Sequence, residues 1–267
     1  MDYKFLSEKA SWVRKETLRI HKIAPGIRLA SALSCVELLT VLYYGKVLKF
    51  DPTNIFSNDR DRFIISKAHG VVSFYPVLAD NGFFPISELG KVGKPGCILG
   101  DIPDCSIPGF ETVNGSLGHG LGVGCGTAIA LKKQEKNEKV FIFSGDGELF
   151  EGSVWEAIMF AGHHKLDNLI MIIDYNKISM LDYCNKIIDL GTIADKFQIF
   201  GWETKEIDGH DVKEIFESLT KIKRKKSSSP QVVIAHTIKG KGVPKLEGDS
   251  LCHIRALTPE EIDAIIN

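Results

Sequence analysis

Two residues with hard oxygen donors, Asp146 and Asn176, stand thirty residues apart, and each follows an unbroken apolar run. Val140-Phe141-Ile142-Phe143 leads into Ser144-Gly145-Asp146-Gly147-Glu148, and Leu169-Ile170-Met171-Ile172-Ile173 leads into Asp174-Tyr175-Asn176. Read as parallel strands joined by one helical crossover, the two runs bring the carboxylate and the amide oxygen to the same sheet edge. Ligands of open α/β sheets bind outside the carboxyl ends of strands, and such oxygens suit Mg²⁺ or Ca²⁺, with a diphosphate completing the octahedron. The glycines beside Asp146 permit a tight turn and close approach of a ligand. Alone, a Gly-Asp-Gly tripeptide marks only a turn; the two strands and their spacing give it weight. His69, in Ser66-Lys67-Ala68-His69-Gly70, falls at another strand-to-helix turn. The six cysteines, Cys35, Cys97, Cys105, Cys125, Cys184 and Cys252, form no C-x-x-C pair and no zinc spacing, and they read as buried cytosolic thiols.

The elements that must position these residues follow from periodicity. Helical spacing runs from Ser7 to His21 and from Ser31 to Lys46, where Cys35, Val36, Leu39, Leu42 and Tyr43 share a face. Arg62 to Ile65 is a short strand, and Val71 to Asp80 a helix interrupted by Pro76. Residues 91–114 carry Pro and Gly without periodicity and form a long loop of the kind that often serves function. Gly115 to Lys133 reads as a buried helix whose small residues admit a close neighbour. The strand at Val140, a helix from Glu151 to His164 and the strand at Leu169 make a βαβ unit. A helix from Asp211 to Lys223, a strand from Gln231 to Ala235 and a last helix from Thr258 to Ile266 continue the α/β alternation.

With 33 basic and 34 acidic side chains the formal net charge is −1, so no global field holds nucleic acid or an anionic membrane, and any bound anion must be gripped locally. The basic run from Lys221 to Lys226 at a helix end reads as a solvated face. No apolar run approaches the roughly 18 residues that span a bilayer, and the N-terminus has no signal-peptide core, so a cytoplasmic protein with no membrane partner is expected. At 267 residues, one domain over residues 1–267 is favoured over two small ones.

Gly-Asp-Gly-Glu followed by Asn176, each after an apolar strand, resembles the thiamine diphosphate motif, and the surrounding sequence resembles the N-terminal half of a transketolase. Ordered matches carry this along nearly the whole chain: Leu38 to Tyr44 before Asp51-Pro52, Asp59 to His69, Pro108 to Thr112, Gly115 to Gly120, and Lys239-Gly240-Lys241-Gly242. The resemblance implies a parallel-sheet, three-layer α/β/α fold that binds thiamine diphosphate. It implies that Asp146, Asn176 and the Ile178 carbonyl hold Mg²⁺, or Ca²⁺, on the diphosphate, with His69, Gly145, Gly147 and Glu148 around it. Gly115 and Leu117 would line the cofactor and Met180 would pack beside its rings. Glu151 and Glu156 are implied as interface carboxylates coupling paired active sites, and His253 matches a histidine near the active site. The implied activity is transfer of a two-carbon ketol unit from a ketose to an aldose, chemistry that the cofactor supplies. The glutamate that activates the aminopyrimidine lies in the other half of such enzymes. One subunit of a split transketolase is therefore expected, inactive alone, working with a C-terminal-half partner that carries the pyrimidine-binding domain, as a heterotetramer on a symmetric core.

Arg28 and Asp101 align where the family carries substrate-handling histidines. A guanidinium at the first position would bind phosphate or carboxylate by a bidentate contact, or stand as a surface residue, and a sugar, sugar phosphate or 2-oxo acid substrate is in view. Rival readings are a thiamine-dependent decarboxylase, acyloin ligase or 2-oxo acid dehydrogenase subunit, which would share the Asp146/Asn176 site, and a non-catalytic scaffold descended from such an enzyme. A dinucleotide site at the glycines of 118–126 fails, because their spacing is not G-x-G-x-x-G and no strand precedes them.

Overall fold

The computed structural model describes residues 1–266. Its centre is a five-stranded, all-parallel sheet of β1 (Arg62–Ile65), β2 (Val140–Gly145), β3 (Leu169–Tyr175), β4 (Glu203–Asp208) and β5 (Gln231–His236), in the order β1-β2-β3-β5-β4. Strands β2, β3 and β5 are almost wholly buried, as continuous apolar strands covered on both faces must be. Successive side chains divide between the faces. Phe141, Phe143, Ile170, Ile172 and Val233 enter one core, and Val140, Ile142, Leu169, Met171 and Val232 enter the other. The first core is roofed by α1 (Tyr3–Ile23), α3 (Val36–Tyr44), α4 (Val71–Asp80) and α9 (Val212–Arg224). The second is roofed by α5 (Gly120–Lys133), α6 (Gly152–His163) and α8 (Ile193–Ile199), which completes the expected three-layer α/β/α architecture. The short α2 (Leu29–Leu33) and α7 (Cys184–Ile187), and α10 (Pro259–Ile266), are the other α-helices among the described residues.

Local chemistry sets the boundaries. Asp2 caps α1 by accepting from the Phe5 N–H at 3.0 Å, which starts that helix before the expected Ser7. Asp211 caps α9 by accepting from Lys213 and Glu214, and the basic run closes the same helix, where Lys223 pairs with Asp61 and Lys225 with Glu203. The helix expected over Ser31–Lys46 is two pieces, broken at Ser34-Cys35, where the Ser34 hydroxyl turns to the sheet and donates to Asp174 at 2.6 Å. Its apolar residues are uninterrupted, so periodicity could not signal the break.

The helix expected from Gly115 starts at Gly120. Gly118 takes φ +87°, and the N–H groups of Gly118 and Gly120 donate to Glu148 and Ser66, so residues 115–119 are a loop tied to the sheet edge. This helix is half exposed rather than buried, with Val123 in solvent. The cysteines also depart from expectation: Cys35, Cys125 and Cys252 are buried, Cys97 and Cys184 are partly exposed, and Cys105 is exposed. Sequence reading passed over the edge strand β4, whose Glu-Thr-Lys-Glu-Ile-Asp has one buried residue and hence a weak apolar signal, and the short helices α7 and α8. Among the described residues no helix is long and apolar enough to cross a membrane.

Candidate active site

Four strand ends and two helical turns converge on one cleft of about 390 Å³. After β1 the chain forms a single 3₁₀ turn at Ala68–Gly70 that carries His69, and after β2 another at Asp146–Phe150. The segment after β3 brings Asn176 and Ile178, and that after β5 brings Lys239. The far wall is Ser31 of α2 and His253 of the turn Cys252–Ile254, with the Ser31 hydroxyl 3.2 Å from His253 Nδ1. The β5 loop is tied back to the helical layer through His210. Its Nε2 accepts from the Ile238 N–H at 2.8 Å, so Nδ1 carries the proton and donates to Glu37 at 2.9 Å.

Asp146 is buried, and its carboxylate accepts from the N–H groups of Gly147, at 2.8 Å, and Lys177. Burial, with the Asp174 charge adding to it, pushes its pKa up to about 6. Asn176 donates from Nδ2 to Asp174 at 3.3 Å and accepts at Oδ1 from the Ile178 N–H at 3.2 Å. The Ile178 carbonyl accepts from the Lys239 ammonium at 2.7 Å, as does that of Ser179. Burial, and then the nearby Lys67 charge, pull Lys239 down to about 8.

Beneath the cleft Lys67 and Asp174 form a buried ion pair. Burial works against both charges, but the partner's charge and the surrounding hydrogen bonds and charges together outweigh it, holding Lys67 above and Asp174 below its ordinary pKa. Glu148 faces the same floor, and its oxygens accept from Ser66, from the Gly118 N–H at 2.9 Å and from Ser144 at 2.6 Å. It therefore braces the 115–120 loop against β1 and β2. The rings of His69 and His253 lie 5.1 Å apart. Burial, then the Lys239 charge, push His253 down to about 3, and burial with the Arg28 charge lowers His69, so both rings are neutral near pH 7.

The donor set could hold a divalent cation only together with a ligand. One buried carboxylate, one amide oxygen and one backbone carbonyl are hard oxygens, too few to enclose a cation by themselves. Among the described residues no group of three or more His, Cys, Asp or Glu side chains is arranged to hold a metal. The buried His253 Nε2 has no partner, an orphaned polar atom in a cleft whose lining also includes the apolar Leu117 and Met180.

Of the residues singled out from sequence, His69, Leu117, Gly145, Asp146, Gly147, Glu148 and Glu151 line the cleft, as do Asn176, Ile178, Met180 and His253. Gly115 is outside the lining, in the loop leading to Leu117. Glu156 lies on the exposed face of α6, a turn beyond Glu151. Asp101 is exposed and Arg28 half-buried, both outside the lining, although their charges act on His69. Sequence reading missed Ser31, Lys67, Asp174 and Lys239 as members of the site. Lys67 and Lys239 sat inside the Ser-Lys-x-His and Lys-Gly-Lys-Gly segments, and Asp174 stood two residues before Asn176; Ser31 carried no signal.

This is a parallel α/β domain whose strand ends gather a buried carboxylate, an amide oxygen and a backbone carbonyl, and open α/β sheets bind ligands outside the carboxyl ends of their strands. Residues 20–267 match the family described as transketolase, thiamine diphosphate binding domain. The chain is 38% identical to the 6-deoxy-6-sulfo-D-fructose transketolase subunit of Clostridium sp. (strain MSTE9), over 96% of this chain and 92% of that one. It is 36% identical to an apulose-4-phosphate transketolase subunit of Actinobacillus succinogenes, over 98% and 95% of the two chains. The transketolase of Campylobacter jejuni superimposes with a TM-score of 0.93 at 31% identity, covering 99% of this chain and 42% of that one. The chain belongs to the transketolase family, corresponding to its thiamine diphosphate-binding domain. It spans about two fifths of that Campylobacter protein's length.

Proposed function

We propose that residues 1–267 act as one thiamine diphosphate-binding domain and, with a partner subunit carrying a pyrimidine-binding domain, transfer a two-carbon ketol unit from a ketose to an aldose. The observation that carries the reading is the convergence of Asp146, Asn176 and the Ile178 carbonyl at one end of the cleft. Mg²⁺ is the cation best suited to a site that leaves half of its octahedron to a diphosphate and water, and Ca²⁺ shares the ligand chemistry. When bound, the cofactor supplies the nucleophilic carbon and the electron sink of the reaction.

The chain's own residues bind, orient and exclude water. His69 and Gly147, with Gly145 beside them, would contact the diphosphate, and Glu148 braces the loop. Leu117 and Met180, with Gly115 in the loop leading to Leu117, would form an apolar wall beside the rings that keeps water from the reacting carbon. His253, neutral and unpartnered at Nε2, offers a hydrogen bond to a substrate oxygen. Arg28 and Asp101, at the margin, select the substrate. Glu151 at the rim and Glu156 on the exposed face beyond it meet the partner.

A partner is supported by the rim itself, where Met180, Leu181 and Ile187 are exposed. Relatives of nearly the same extent are named as subunits, and their names specify ketoses with an anionic substituent, a sulfonate or a phosphate. A sugar or sugar phosphate is the proposed substrate, and a heterotetramer on a symmetric core the proposed assembly. Six unpaired cysteines suit a reducing compartment, and the cytoplasm is the proposed location.

The test is two-carbon transfer from a panel of ketoses, with thiamine diphosphate and Mg²⁺, by the chain alone and by the chain with its co-purified partner. Activity in the mixture only is expected. Robust activity of the chain alone would overturn the subunit reading, and none in either would shift weight to a decarboxylase or a scaffold.

A further inference from the structure

We infer that Asp174 is a positioning residue that decides which face of the Asn176 amide the cleft receives, and that Lys67 is present to keep Asp174 in place for that task. The inference rests on Asp146, Asn176 and Ile178 being the proposed cation ligands.

Asp174 is fully buried near the end of β3, in register with Gly145 of β2 and Ala235 of β5. Its Oδ2 accepts from Ser34 at 2.6 Å, from Lys67 and from Asn176 Nδ2 at 3.3 Å, and its Oδ1 accepts from Thr237. An ionised carboxylate only accepts hydrogen bonds. The opposite amide orientation would set two oxygens against each other, so Nδ2 must face Asp174. Oδ1 is thereby turned to the Ile178 N–H and the cleft, where it keeps a lone pair for a cation. A flipped amide would present N–H groups there and repel the cation.

Lys67 places its other protons on the Ser31 carbonyl at 2.8 Å and the Ser34 hydroxyl at 3.0 Å, so the pair is enclosed by α2 and the sheet. A buried ion pair is weak evidence for stability, because apolar residues of similar volume often stabilise as well. Its place directly behind a cation ligand is therefore better explained by the orientation it enforces. Groups behind a metal's ligands commonly change affinity 10- to 100-fold when removed.

Removing one charge alone would strand the other, so the test replaces both. Lys67→Met/Asp174→Asn keeps an oxygen that accepts from Asn176, and Lys67→Met/Asp174→Leu does not. Mn²⁺ uptake by the full chain with thiamine diphosphate is measured by electron paramagnetic resonance, with thermal unfolding alongside and Asp146→Ala as the reference for loss of the site. The expected result is affinity within about threefold of the unmodified chain for the Asn variant and roughly 10- to 100-fold weaker for the Leu variant, at similar melting temperature. Equal affinity of the two variants would overturn the positioning role. Absence of Mn²⁺ uptake by the unmodified chain would instead overturn the cation reading, and this inference with it. A second readout needs neither double variant: hydrogen exchange at the Asn176 side-chain amide, assigned by its loss in Asn176→Ser. Slow exchange is expected for an Nδ2 held against Asp174, and exchange as fast as that of a free amide would overturn the inference.

Discussion

The Lys239 ammonium donates to the Ile178 carbonyl at 2.7 Å and to the Ser179 carbonyl at the same distance, so a side chain leaving β5 sets the backbone leaving β3. A carbonyl oxygen has two lone pairs, so the Ile178 carbonyl that accepts from Lys239 keeps one for the proposed cation. Lys239→Met removes the clamp and leaves both carbonyls without this donor. The expected outcome is about tenfold weaker Mn²⁺ uptake with thiamine diphosphate, measured by calorimetry, with the helix content unchanged in circular dichroism.

Asp146 carries the one carboxylate of the proposed donor set, and a protonated carboxyl does not ligate a cation. Because burial raises its pKa to about 6, above the ordinary 3.8, proton and cation compete in a range that enzymes meet. Cofactor loading in Mg²⁺ is expected to be flat above pH 7 and to weaken by roughly tenfold per unit below pH 6. Asp146→Ala should abolish Mg²⁺-dependent loading at every pH, and retention of normal affinity would remove Asp146 from the site.

How much of this was legible follows from what sequence periodicity encodes. The strands that lead to Asp146 and Asn176 open on apolar runs, Val140–Phe143 and Leu169–Ile173, and their order and spacing announced a βαβ unit with both residues at one edge. The bracing was hidden. Glu148 looked like a cofactor contact because it belongs to the same tetrapeptide, whereas its oxygens are taken up by Ser66, Gly118 and Ser144 from three distant segments. The break at Ser34 and the late start of α5 at Gly120 have the same origin: a polar group that leaves the local ladder for the sheet edge. Such contacts depend on tertiary proximity, which local pattern does not contain.

Glu148→Gln tests the brace. Its amide nitrogen cannot accept, so a buried donor among Ser66, Gly118 and Ser144 loses its partner. A destabilisation of about 1–3 kcal/mol is expected in urea unfolding, the cost of an unsatisfied buried group. Hydrogen exchange at the Gly118 and Gly120 amides should accelerate more than exchange across β3, since the loop is what the carboxylate holds.

His21 is buried, accepts at Nε2 from the Leu257 N–H at 3.2 Å, and has no partner for Nδ1. Burial pushes its pKa down to about 4, from 6.5 in the unfolded chain. Between those values the unfolded state binds the additional proton, so stability is full above pH 6.5 and is lost as pH falls toward 4. His21→Gln, which keeps an oxygen for the Leu257 N–H, should flatten the pH dependence of the melting temperature between pH 6.5 and 4.5. An unchanged slope would assign the acid sensitivity to other groups, His253 first among them.

Arg28 stands at the N-terminus of α2, three residues before Ser31, and its charge reaches both neutral histidines of the cleft. Arg28 is half-buried, and a guanidinium carries a planar fork of donors that suits an oxyanion. In a proposed substrate margin, that chemistry favours a donor with a carboxylate, phosphate or sulfonate over a neutral one. Arg28→His puts a polar ring in place of the guanidinium and loses the fork of donors and the fixed charge. Assayed with the partner present, the variant should lose roughly 10- to 100-fold in kcat/KM for an anionic ketose, the range set by a charged hydrogen bond of about 1.5–3 kcal/mol, and should change little with a neutral ketose. An equal loss on both substrates would make Arg28 a structural residue of the α2 terminus, and an unchanged preference would leave selection to Asp101 and the partner.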